Sequence, residues 1–100
     1  MADKNNDKST METTKIENGF YISRYRNESL QNETYEKEVS KEFIQFHFCQ
    51  KGEGVFLFNE GNYSFPVQGK NVIVLYNPIQ ALPINLDLHP DSSMVSLVIS

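Results

Sequence analysis

Four positions hold the side chains best able to do chemistry. Gln45, His47 and Cys49 stand at i, i+2 and i+4 within the run FIQFHFCQ, and His89 precedes Pro90. An imidazole and a thiol two residues apart raise the question of a Cys–His nucleophile pair. On a strand such neighbours share a face, about 6–7 Å apart at the backbone. That is too far for a direct thiol–imidazole hydrogen bond, and no third, orienting residue stands out. The expectation is therefore that the chain is not an enzyme. Three polar or soft side chains on one face suit two other tasks. They line a small-ligand pocket, or they are core groups satisfied by neighbouring backbone, with Cys49 as a small filler. His89 is expected in a surface turn.

These residues lie in the stretch Phe43–Pro78, where four runs rich in Phe, Val, Ile and Tyr alternate with glycine-bearing polar breaks. The runs have the length of strands rather than of core helices. Lys51-Gly52-Glu53-Gly54, Asn59-Glu60-Gly61-Asn62 and Gln68-Gly69-Lys70 carry the residue types that tight turns require. The stretch therefore reads as consecutive antiparallel strands joined by hairpins. Its first run has two faces. Gln45, His47 and Cys49 share one with Phe43; Ile44, Phe46 and Phe48 make the other wholly apolar. The apolar face is expected in the core, with a protein interface as the alternative. Pro66 cannot donate to a ladder, so Tyr63–Val67 belongs at an edge or a bulge.

Outside this stretch, Phe20–Arg26, Ile84–Leu88 and Met94–Ile99 read as strands, and Thr34–Ser40 as a weak edge strand. About eight antiparallel strands and no amphipathic helix make the chain all-β. Residues 1–15 are polar without periodicity and read as a disordered tail, leaving 16–100 as one domain. The last strand reaches Ser100 with no terminator, so the expectation is the front part of a longer protein.

Composition narrows the function. The formal net charge is −4. Residues 43–100 carry only Lys51 and Lys70 as bases, too few for the basic footprint that phosphate contacts demand, so no direct nucleic acid contact is expected. No apolar run is long enough to cross a membrane as a helix, and no secretory signal is visible. A single cysteine fits a reducing compartment. Together these lead to a cytoplasmic expectation.

The strand, Gly-x-Gly, two strands and a Gly-Lys-led apolar run ending at a proline resemble the cupin pattern. More narrowly, they resemble the N-terminal sensing and dimerisation domain of AraC-type transcription regulators. The residues that carry this are FHFCQKGEGVF (Phe46–Phe56) and VQGKNVIVLYNP (Val67–Pro78). The resemblance implies a small jelly-roll barrel, a possible small-molecule effector, a homodimer, and a helix-turn-helix DNA reader beyond Ser100. It makes the face bearing Gln45, His47 and Cys49 the lumen, because Gln45 stands where a metal-binding cupin points a carboxylate inward. A neutral, hydroxyl-bearing ligand such as a sugar is expected there. Ile44, Phe46 and Phe48 become the candidate interface. The alternative is a stand-alone ligand-binding cupin without catalysis.

The resemblance also speaks to a metal cofactor. The upstream His-x-His of metal-binding cupins falls in residues 32–41, which hold no histidine, and the later Gly and His positions fall on Gln80 and Pro83. No metal and no other cofactor is expected. Elemental analysis after gentle purification should therefore show less than stoichiometric zinc, iron and manganese; near-stoichiometric metal would contradict this reading.

Overall fold

Alternation along one strand decides which way the molecule faces. In β4 (Ile44–Lys51), Gln45, His47 and Cys49 are fully buried while Phe48 is 39% exposed. The computed structural model describes residues 9–58 and 61–100. The other strands are β1 (Ser9–Glu17), β2 (Phe20–Asn27), β3 (Glu33–Lys37), β5 (Glu53–Phe58), β6 (Tyr63–Gln68), β7 (Val72–Leu75), β8 (Ile84–Leu88) and β9 (Ser92–Ile99). They form two antiparallel sheets, with order β1-β2-β9-β4-β7 and β3-β8-β5-β6. The chain is all-β among the described residues, and they contain no helix long and apolar enough to cross a membrane.

The two sheets enclose the core by opposite means. The four-stranded sheet supplies the hydrocarbon: Phe56, Val67, Ile84, Leu86 and Leu88 point inward and are buried. Each such side chain is worth roughly 1.5–3 kcal/mol when fully buried. The five-stranded sheet turns a mixed row inward. Ser23, Ser96 and His47 stand side by side in register across β2, β9 and β4, and all three are fully buried. Its outer side is apolar, so the expected core face of Ile44, Phe46 and Phe48 is in fact the outer one. On that face Ile44 and Phe46 are partly buried and Phe48 is exposed.

The connections depart from a run of hairpins. Among the strands named here, β5 pairs with β6 as a hairpin should, but β4 pairs with β9 and β7, never with β5. The break at Lys51–Gly54 is thus a corner between the sheets. Gly52 adopts a positive φ of 77° there. A Cβ on it would fall 2.0 Å from the Ser92 hydroxyl and 2.9 Å from the Ser92 backbone, so two chains cross where only glycine fits. Pro66 sits on β6, an edge, as its missing donor requires.

Residues 9–15, expected in the tail, instead belong to β1; residues 1–8 lie outside the described residues. Ser9 to Lys15 pair with β2 in continuous register. The Ser9 hydroxyl lies 2.5 Å from the Tyr35 hydroxyl, and Thr13 Oγ1 lies 2.9 Å from Ser23 Oγ. Periodicity missed this strand because neither of its faces is apolar; main-chain pairing and hydroxyl contacts hold it instead. Deleting residues 1–15 should therefore lower the thermal midpoint by at least 4–8 °C, about the shift that a loss of 1 kcal/mol produces in a domain of this size. An unchanged midpoint would show that β1 contributes no stability.

Candidate functional site

The inward row of the five-stranded sheet continues as a chain of hydrogen bonds toward one end of the sandwich. His47 Nδ1 lies 2.5 Å from Ser96 Oγ, and His47 Nε2 lies 2.7 Å from Gln45 Oε1. The Gln45 amide nitrogen donates to the Leu82 carbonyl at 2.6 Å. That carbonyl can only accept, which sets every proton upstream. Gln45 must turn its NH₂ to Leu82 and its oxygen to the imidazole. His47 must then carry its proton on Nε2, leaving Nδ1 to accept from the Ser96 hydroxyl.

The structure thus brings Gln45 and His47 together and places Cys49 on the same buried face. The Cys49 thiol turns away toward the Lys51 and Gly52 carbonyls, at 3.7 and 3.5 Å. Burial pushes its pKa up, so it stays a thiol. His89 lies apart in the β8–β9 turn, 3.5 Å from the Glu53 carboxylate. Behind Ser96, the Tyr25 hydroxyl is buried beside both Ser96 and Ser23 but makes no well-formed hydrogen bond. Nothing in the sequence marks Ser23, Tyr25 or Ser96 as neighbours of His47. Each lies on a strand other than β4, so only the register reveals them.

The site's donors do not fit a divalent metal. The one imidazole has both ring nitrogens engaged, Gln45 offers a neutral amide, and no three His, Cys, Asp or Glu side chains converge among the described residues. Zinc and iron sites need several imidazole, thiolate or carboxylate ligands.

Leu82 belongs to the 76–83 loop, which closes the end of the sandwich. Asn77 shapes the loop by accepting from the Ile79 and Gln80 amides at 3.0 and 3.3 Å. Ala81 stands between two cavities. The first, about 560 Å³, is lined chiefly by Tyr21, Val39, Phe43, Ala81 and Val98, with Lys37, Glu38 and Ser40 also on its wall. Val98 is the register partner of Gln45 and Ala81 the chain neighbour of Leu82, so this cavity lies beside the end of the hydrogen-bonded chain, although Gln45 and Leu82 are not on its wall. Tyr21 and Phe43 meet edge to face there, with ring centres 6.0 Å apart. The second cavity, about 690 Å³, lies between the loop and the β5–β6 end, with Phe58, Tyr63, Gln80 and Asn85 among its walls.

Burial holds His47 neutral, with its pKa lowered from 6.5 to about 4. Because the folded value lies below the unfolded one, the unfolded chain takes up the proton first as pH falls. The stability due to the neutral ring is complete above pH 6.5 and is lost progressively from there down to about pH 4. The full loss is on the order of 3 kcal/mol. The thermal midpoint of a His47→Gln variant should fall less over that interval than the wild-type midpoint. Identical slopes would show that His47 is not the group that titrates.

No family model and no curated protein matches the sequence. Solved structures do match the fold. An RmlC-like cupin protein from Desulfovibrio desulfuricans superposes with a TM-score of 0.68 at 16% identity, covering 94% of this chain and 84% of that one. An HTH_3 family transcriptional regulator from Vibrio cholerae gives 0.62 at 12% identity, covering 93% of this chain and 51% of the regulator. An oxalate oxidase gives 0.65 at 15% identity, covering 93% and 51%. This last match corrects the expectation that the chain is not an enzyme: the same fold carries an enzyme, so the fold does not support that exclusion. At these identities the comparisons establish the architecture, and the architecture is that of a cupin.

Proposed function

We propose that the chain is the small-molecule-sensing domain of an AraC-type transcription regulator, and that its ligand enters the cavity walled by Tyr21, Phe43, Ala81 and Val98. One observation carries this reading: a buried chain of hydrogen bonds from Ser96 through His47 and Gln45 ends on a single carbonyl of the loop that closes the cavity. A cavity of this size suits a small ligand. A ligand settling there replaces water against Tyr21, Phe43 and Val98, and it presses on the loop that Gln45 holds. Ligand occupancy and loop position are thereby coupled through one side chain. The polar atoms of Gln45 and His47 are engaged with each other and with the loop. The walls left for the ligand are mainly apolar, with Lys37, Glu38 and Ser40 as their polar members, so the ligand is a compact, largely apolar molecule with one polar group.

Two points support a regulatory role. The sequence resembles AraC-type sensing domains over Phe46–Phe56 and Val67–Pro78, and the fold recurs in about half the length of an HTH_3 family regulator. With only Lys51 and Lys70 beyond residue 42, DNA would be read by a separate domain.

A thermal-shift screen of small metabolites tests the ligand site, repeated on Phe43→Ala and Gln45→Leu. A true ligand should stabilise the wild type and lose most of its shift in both variants. Equal shifts in all three proteins would place the ligand elsewhere. The regulatory role is tested separately by reading the coding sequence past Ser100: a stop codon there would leave a stand-alone binding domain.

A further inference from the structure

The five-stranded sheet has a mixed inner face and, over β9, β4 and β7, a largely apolar outer face, unlike a sheet that turns polar side chains to water. Apart from Ile16 on β1, its exposed large apolar side chains lie on β4 and at the β7 edge. Val72 and Val74 on β7 are each 57% exposed, Tyr76 just beyond them is 51% exposed, and Phe48 lies beside Val72 in register.

The edges of the sandwich are not alike. β1 carries Glu12, Lys15 and Glu17, β3 carries Glu33, Glu36 and Lys37, and β6 carries Pro66. Charges and proline keep edge strands from pairing with other chains. β7 has neither, and the run from Asn71 to Asn77 holds no charged residue at all. Its backbone is ready to pair. The Cys49 amide donates to the Asn71 carbonyl, so the odd-numbered residues of β7 bond toward β4. Val72 and Val74 therefore turn their N–H and C=O groups to the open edge. No strand lies beyond β7 among the described residues.

We propose that this edge is the dimer interface, occupied by β7 of a second copy running antiparallel about a two-fold axis at Val74. Three features select a second copy. First, a neutral strand meets itself without like-charge repulsion. Second, a two-fold axis perpendicular to the sheet keeps outward side chains outward. Opposite residues must then share parity, and centring on Val74 sets Val74 against Val74 and Val72 against Tyr76, all apolar and all on the outer face. Third, the same centre makes Val74 exchange two hydrogen bonds with its copy, using the groups that face the edge. Beneath the joint the two β6 edges approach. Phe65 points inward opposite Phe56 yet is 49% exposed, because the sandwich is open along the β6–β7 seam; a neighbouring copy closes that seam. The joint places the candidate interface of Ile44, Phe46 and Phe48 on a continuous outer face beside the axis.

Sedimentation across a dilution series tests this on the 100-residue chain. The wild type should reach dimer mass and stop there. Val74→Lys, which puts two ammonium groups against each other at the axis, should remain monomeric with an unchanged circular dichroism spectrum. Mixing Val74→Lys with Val74→Glu should restore the dimer. Should Val74→Lys fail to fold, Val74→Cys decides. Opposed Cα atoms at a hydrogen-bonded pair lie about 5.5 Å apart, within disulfide reach, so mild oxidation should give a covalent dimer. Arg24→Cys, exposed on β2, should not cross-link. A monomeric wild type, a dimer that survives Val74→Lys, assembly beyond the dimer, or Val74→Cys cross-linking no faster than Arg24→Cys would each overturn the proposal.

Discussion

The Leu82 carbonyl fixes the polar interior. It lies over the end of the sandwich and needs a donor, and Gln45 supplies it. Because a carbonyl cannot donate, the orientation of the Gln45 amide, the tautomer of His47 and the hydroxyl direction of Ser96 all follow. Buried polar groups cost about 1–3 kcal/mol each when left unpaired. A substitution anywhere in this chain therefore leaves the next member without its partner, and the cost moves toward the loop. Phe56 packs against His47 with ring centres 4.5 Å apart; it excludes water and keeps the local dielectric low. The neutral imidazole is a consequence of that cover.

A second polar knot ties the far end. Asn27, buried at the end of β2, donates to the Gln31 and Leu88 carbonyls and accepts from the Ser29 amide and hydroxyl. All four hydrogen-bonding positions of one amide are used, and one of them reaches the opposite sheet. Directed bonds thus tie the five-stranded sheet to the opposite sheet at one end and to the 76–83 loop at the other, with hydrocarbon between them. Such an arrangement fixes how the sheets sit relative to each other, which apolar contact alone leaves loose.

Much of this was legible in the order of the residues. The alternation in FIQFHFCQ placed Gln45, His47 and Cys49 on one face, and Pro66 marked an edge. The glycine spacing pointed to the cupin architecture. Three things were not legible. β1 has no apolar face, so its pattern matched a tail. The corner at Gly52 carries the same residue types as a hairpin turn, and only the register shows that β4 and β5 lie in different sheets. Ser96, which bonds His47, and its neighbours Ser23 and Tyr25 come from strands distant in sequence, and small hydroxyls inside strands carry no local signal. Local pattern reports which way a side chain faces; it does not report which strand lies next to it.

The inverted five-stranded sheet links the two proposals. A strand has two faces, and the alternation that sends Gln45 and His47 inward must send Ile44, Phe46 and Phe48 outward. In β4 the inward positions are taken by the polar groups that hold the loop, so its apolar side chains stand on the outer surface. That surface then has to be covered, and the neutral β7 edge supplies the backbone groups to recruit the cover. β4 lies between the relay and the edge: His47 and Ile73 are register partners, as are Phe46 and Val74. A shift of Gln45 with the loop bears on a strand whose other neighbour is the proposed dimer joint. The two proposals, a small-molecule site and an assembly surface, thus rest on the two faces of one alternating strand.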